Sequence, residues 1–207
     1  MLHLILVRHG ETSWNKQRRY QGQSDVPLNA LGHRQAELAA RRLANYDIDA
    51  IYASDLKRAW ETTEPIAAAL GLAIKAEPRL RELNFGILEG MGFDEAQAKH
   101  PDVISGWIED YDHAPEGGEG HTAFGERVRS FLEDLKRDHQ GETVMLVAHG
   151  GSLAELVRQQ LGLEPEKVWS FEMGNASISE LAIYDEEAVL KRLNDVSHLA
   201  ELVVEKS

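Results

Sequence analysis

The chain has 207 residues, 43% hydrophobic and 28% charged, which suits one globular domain. It has no cysteine, which excludes disulfides, thiolate-held metals and thiol catalysis. Its formal charge of −13 argues against duplex nucleic acid or an anionic membrane as partner, and no apolar run approaches the ~20 residues of a membrane span. The apolar opening at residues 1–7 lacks the basic flank and the length of a secretion signal, so the expected location is cytoplasmic.

In chain order, the pattern predicts a strand at residues 2–7, nearly continuous in Leu, Ile and Val as suits a strand covered on both faces. A helix follows, with Ala36, Ala39, Ala40 and Leu43 at helical spacing and Asn29 placed to cap it. A second strand at 50–53 leads to a stripe of Leu56, Ala59, Trp60, Thr63, Ala67 and Leu70, stopped by Gly71. Residues 85–120 break the rhythm with seven glycines and two prolines around short helical patches near 94–99 and 102–111. That stretch holds too few large apolar residues for a core of its own, so it reads as a lid-like insertion in one domain spanning 1–207. Beyond it, Phe124, Val128, Phe131, Leu132 and Leu135 mark a third helix, and 143–148 a strand. Leu153, Leu156, Val157 and Leu161 mark a fourth helix, ahead of a strand at 177–184 and an antiparallel edge strand at 189–193. Strands alternating with helices predict an α/β three-layer sandwich, a mostly parallel central sheet with helices on both faces.

Charge is distributed unevenly. Residues 1–20 carry +3, whereas 82–120 carry ten acids against Lys99 alone. Three predicted strands end in reactive residues: Arg8-His9-Gly10, Ser54 to Arg58, and His149-Gly150-Gly151. In an open parallel sheet the carboxyl ends of the strands share one rim, where ligands bind. That topology gathers Arg8, His9, Arg58 and His149, and such a cationic cluster calls for an anion. A guanidinium fork matches phosphate oxygens, so the rim reads as a phosphate pocket with glycines that let a ligand approach the backbone. Taken singly, each residue has a plainer use: His149 as a cap of the helix starting near Gly151, Arg58 as a partner of Asp55 or Glu61.

Leu6-Val-Arg-His-Gly-Glu-Thr-Ser-Trp-Asn15 closely resembles the signature of the histidine phosphatase superfamily, which includes cofactor-dependent phosphoglycerate mutases. The resemblance continues through Tyr20-Gln-Gly22, Pro27 to Gly32, Ala53 to Ala59, Leu80 to Gly86 with Leu88-Glu-Gly90, and Val147 to Gly151, in family order over nearly the whole chain. It implies His9 as the nucleophile that takes the phosphoryl group, with Arg8, Arg58 and His149 clamping its oxygens. It implies further phosphate contacts from Asn15, Gln21 and Gly150. Glu82 matches the general acid, and apolar Leu80, Leu83 and Phe85 beside it would raise its pKa; its plainer reading is a surface ion pair with Arg81.

No P-loop or serine-hydrolase elbow is present, and the other histidines lack metal-ligand spacing, so neither metal nor cofactor is expected. The mutases of this family carry a longer, basic insertion, whereas residues 85–120 contain one lysine and no arginine. Pro115-Glu-Gly-Gly-Glu119 instead resembles a segment of the family's small-molecule phosphatases, with Gly120 where they have serine. The resemblance thus implies hydrolysis of a small phosphorylated metabolite, phosphoserine and α-ribazole phosphate being family examples, and a homodimer is common in that family. A phosphoglycerate mutase and a non-catalytic phosphate-binding protein are the alternatives. Phe85, Met91, Phe93, Trp107, Tyr111, Trp169 and Phe171 are candidates to line an apolar lid or pocket, or simply to pack.

Overall fold

Leu4 and Leu6 of the first strand, β1 (Leu2–Arg8), point to one face of a sheet and Ile5 and Val7 to the other, and all four are buried. This two-sided burial is what the unbroken apolar run requires. The structure is a computed structural model describing residues 1–110, 112–185 and 187–204, so Tyr111 lies outside the described residues.

The elements that follow are α1 (Ser13–Lys16), α2 (Ala30–Leu43), β2 (Ala50–Ala53), α3 (Lys57–Leu70) and β3 (Ile74–Ala76). Next come α4 (Phe93–Lys99), α5 (Pro101–Glu109), α6 (His121–Asp138), β4 (Thr143–Ala148) and α7 (Gly150–Gln160). The chain then forms β5 (Ile178–Ile183), β6 (Ala188–Asp195) and α8 (Glu201–Val204). Among the described residues, six strands form one sheet in the order β3-β2-β4-β1-β5-β6. Helices α6 and α7 bury Phe124, Phe131, Leu153 and Leu156 against one face, and α2 and α3 bury Ala39, Leu43 and Ile66 against the other. The expected three-layer α/β sandwich is therefore present.

Two local signals worked as the chemistry requires. Asn29 accepts a hydrogen bond from Gly32 N at 2.9 Å and caps α2, while Gly71, at φ 69°, ends α3. β3 was not foreseen; three residues including Lys75 are too short to show a period.

β1, β4, β2 and β3 run parallel, whereas β5 runs antiparallel to β1, and β6 antiparallel to β5. Direction matters here, because Ile178 at the start of β5 pairs with Val7 at the end of β1. The chain entering β5 therefore crosses the rim where the parallel strands finish.

Residues 85–120 leave and rejoin the body at one neck. Ile87 N donates to Glu116 O (2.9 Å) and Glu119 N to Asn84 O (3.0 Å). Gly86 has φ 51°, and a Cβ there would lie 2.2 Å from Glu116 O, so the neck closes only on glycine. Leu88, Ala96 and Ile104 form a small cluster inside the insertion, with Met91 and Trp107 packed on it.

Candidate active site

β1, β2 and β4 end at the rim, which receives Arg8 and His9 from the first, Ser54 from the second and His149 from the third. His9 is 2% exposed, and its Nδ1 lies 2.7 Å from Gly10 O. A carbonyl only accepts, so Nδ1 carries the proton and Nε2 holds a free lone pair. Burial, then Arg58 and Arg8, push the His9 pKa well below 6.5, so the ring is neutral at pH 7. Thr62 braces the turn: its hydroxyl accepts from Gly10 N (3.0 Å) and donates to Arg58 O (2.6 Å).

His149 is the opposite tautomer. Arg58 Nε donates to its Nδ1 (3.1 Å), which leaves Nε2–H facing Ser54 Oγ at 2.8 Å. Burial first, and Arg58 second, lower its pKa well below 6.5. The two rings stand 5.1 Å apart between centroids. His149 does stand at the cap position of α7, but its ring serves Arg58 and Ser54.

Arg58, in the first turn of α3, is 1% exposed and gives one N–H of each terminal nitrogen to a carbonyl, Ser24 O at 2.7 Å and Gly22 O at 2.6 Å, which leaves the second N–H of each for a ligand. Asp55 goes instead to Arg81, and Glu61 accepts from Leu28 N, so neither pairs with Arg58. Burial pulls the Arg58 pKa down to about 10, partly offset by Glu82, Asp25 and Glu89, and the group stays cationic at pH 7. Arg8 donates to Met173 O, while its buried Nε has no partner. Burial lowers its pKa as well, with the Glu82 charge opposing. Neither guanidinium hydrogen-bonds a carboxylate among the described residues.

Glu82 accepts from Leu83 N and Gly151 N, each at 3.0 Å, and Arg81 turns away to Asp55, so the surface pair with Arg81 does not form. A Cβ on Gly151 would lie 2.3 Å from Glu82 Oε1, so this contact depends on glycine. Gly150 opens α7 beside Arg8, whose Cζ would be 3.6 Å from a Cβ there. Asn15 Oδ1 accepts from Thr12 N (3.1 Å) and Asn175 Nδ2 (3.3 Å), and Gln21 Oε1 from Thr12 Oγ1 (2.8 Å). With both oxygens engaged as acceptors, what each side chain has left to give is its amide N–H donors.

Several supporting residues escaped sequence reasoning. Glu89 takes hydrogen bonds from Gln23 N, Ser24 N and Phe85 N, holding the turn whose carbonyls hold Arg58. Arg127 donates to Arg79 O, Arg81 O and Glu82 O and forms a bidentate pair with Glu119, fixing the backbone behind Glu82. Glu89 and Glu119 lie in the Leu88-Glu-Gly90 and Pro115–Glu119 motifs, but nothing on the polar face of α6 singles out Arg127. Among the described residues, no three His, Cys, Asp or Glu side chains are placed to hold a metal.

Beside Glu82 opens a cleft of about 340 Å³ lined by Tyr20, Leu83, Phe85, Trp107, His121 and Trp169. Of the expected aromatic lining, Phe85, Trp107 and Trp169 take part. Phe93 is 57% exposed, and Phe171 packs on the core.

The chain is similar to known proteins over nearly its whole length. The family model described as "Histidine phosphatase superfamily (branch 1)" matches residues 4–196. The chain is 38% identical over 207 residues to "Phosphoserine phosphatase 1" of Hydrogenobacter thermophilus, covering 99% of this chain and 98% of that one. It is 37% identical over 210 residues to "Probable phosphoglycerate mutase GpmB" of Yersinia enterocolitica, covering 96% and 95%. The solved alpha-ribazole phosphatase of Shigella flexneri superposes with a TM-score of 0.87 at 30% identity, over 93% of this chain and 96% of that one.

Proposed function

This chain belongs to the histidine phosphatase superfamily, and from that membership we propose that it is a cytoplasmic phosphatase that hydrolyses small phosphate monoesters through phospho-His9. The observation that carries the reading is the charge balance of the rim. The buried Arg58 guanidinium and the half-buried Arg8, whose Nε has no partner, face two neutral imidazoles, and among the described residues neither hydrogen-bonds a carboxylate. A phosphate dianion would supply the missing charge and fill the free donors. The relatives named as phosphatases support hydrolysis.

In the first step the lone pair on His9 Nε2 forms a bond to phosphorus as the bond to the leaving oxygen breaks. Arg8, Arg58 and His149 bind the non-bridging oxygens, aided by Asn15, Gln21 and the backbone at Gly150. Glu82 in its protonated form gives its proton to the departing alkoxide. Water then attacks phosphorus, Glu82 takes its proton, and the N–P bond breaks to restore neutral His9. The hydrogen bond to Gly10 O keeps Nδ1 protonated throughout, so each turnover returns the same tautomer.

The test is phosphate release in EDTA from a panel of monoesters, with acid-stable and acid-labile label counted after a quench. Wild type should turn over and trap label on His9, and His9→Ala should lose about 10⁴-fold or more in kcat with no trapped label. Release that survives His9→Ala sinks the proposal. The Yersinia relative motivates one further assay, isomerisation of phosphoglycerate with its bisphosphate present. The scarcity of cations in residues 85–120 argues that hydrolysis prevails.

A further inference from the structure

Resting on the phosphatase reading, we propose that the cleft beside Glu82 is the leaving-group site, and that it selects esters whose remainder is an uncharged ring over small charged remainders such as serine or glycerate. Three residues of the cleft adjoin residues of the rim. Tyr20 precedes Gln21, Leu83 follows Glu82, and Trp169 meets Glu82 across Gly151, where one Cβ position lies 2.3 Å from Glu82 Oε1 and 3.3 Å from the Trp169 ring. A leaving oxygen protonated by Glu82 therefore starts at the inner end of this cleft.

The walls decide what can follow it. Trp107 stands edge to face against Phe85 and Tyr20, at 5.4 and 6.0 Å between centroids, and those two rings meet tilted at 5.2 Å, forming a stiff aromatic wall. Opposite, Trp169 stands 56% exposed with its ring 6.2 Å from His121. Among the described residues, no Lys, Arg, Asp or Glu lines the cleft. Arg127 is committed to Glu119 and three carbonyls, and Arg19 to Glu95 and Gly90 O. A carboxylated remainder would lose water, find no lysine or arginine in the cleft, and face Glu82 at the inner end. A flat ring instead covers aromatic surface, and the volume lies in the ~300–1,000 Å³ range of sites for ring-bearing ligands. Serine would leave most of it empty.

Esters of comparable leaving alcohols isolate this effect from intrinsic reactivity: naphthylethyl phosphate, ethyl phosphate and phosphoserine. We expect kcat/KM for the naphthylethyl ester to exceed that for ethyl phosphate about tenfold and that for phosphoserine by more. Trp169→Ala, at a mostly exposed position where folding is not at stake, should cut the naphthylethyl-to-ethyl ratio about tenfold. Phosphoserine turned over as well as the naphthylethyl ester, or a ratio untouched by Trp169→Ala, overturns the proposal. Calorimetric binding of naphthylethyl and ethyl phosphonates separates the two readings. Tighter binding of the naphthylethyl compound, without turnover of any ester, keeps the cleft assignment and removes the phosphatase reading. Turnover without any aromatic preference does the reverse.

Discussion

His139 precedes β4 and His149 follows it; both rings are buried, and both have each nitrogen engaged. Around His139 the partners form a chain that balances itself. Lys75 Nζ donates to Tyr52 OH, the phenol meets Nε2 at 2.9 Å, and Nδ1 meets Glu142 at 2.6 Å, so a cation at one end is answered by an anion at the other. Around His149 an arginine takes the place of the carboxylate, and beyond the ring stands a hydroxyl. A buried histidine is thus uninformative in itself. What separates a structural ring from one at a ligand site is whether the charge near it is already answered.

Substitution at each end should expose that difference. Arg58→Ala should lower kcat by about 10²–10³-fold, the range for losing a donor aimed at developing charge. His139→Ala should cost about 1–3 kcal/mol of unfolding free energy yet leave kcat within about twofold. Steady-state kinetics beside urea melts would show it, and an equal loss of activity from His139→Ala would break the distinction.

The pH dependence of stability sharpens it further. His9 and His149 are held well below the 6.5 of an unfolded histidine, so below that pH the unfolded chain binds more protons than the folded one. Their contribution is complete above pH 6.5 and is lost as pH falls. Urea midpoints taken from about pH 7.5 down to about pH 5 should decline, and His149→Asn should flatten the slope. A slope unchanged by that substitution would mean that the rim ring is not held neutral by its surroundings. The smallest effect belongs to Tyr52→Phe, which removes one hydroxyl between Lys75 and His139 and should cost about 0.5–1.5 kcal/mol with turnover intact.

Sequence reasoning reached the rim because strand ends are fixed by hydrophobic pattern, and parallel topology does the gathering. Arg8, His9, Arg58 and His149 all follow from those two facts. The direction of β5 did not, since a strand's apolar run carries no sign of its orientation. With that direction went Asn175 and the Met173 carbonyl, which reach the rim only because β5 starts there. Arg127 stayed hidden for another reason. On a polar helix face an arginine that grips three carbonyls looks the same as one in water.

Arg58 is held by the carbonyls of Gly22 and Ser24. Oxygens of the main chain belong to every residue alike, so no single substitution deletes them. Carboxylate anchors would be lost through one codon change and would also neutralise the charge they position. Drift in the side chains can therefore reach these anchors only by bending the path of the chain, as a side chain at Gly22 would by striking Glu89. The charge of the rim is in this sense insured against point mutation at its supports, and its vulnerability is concentrated in the turn's conformation.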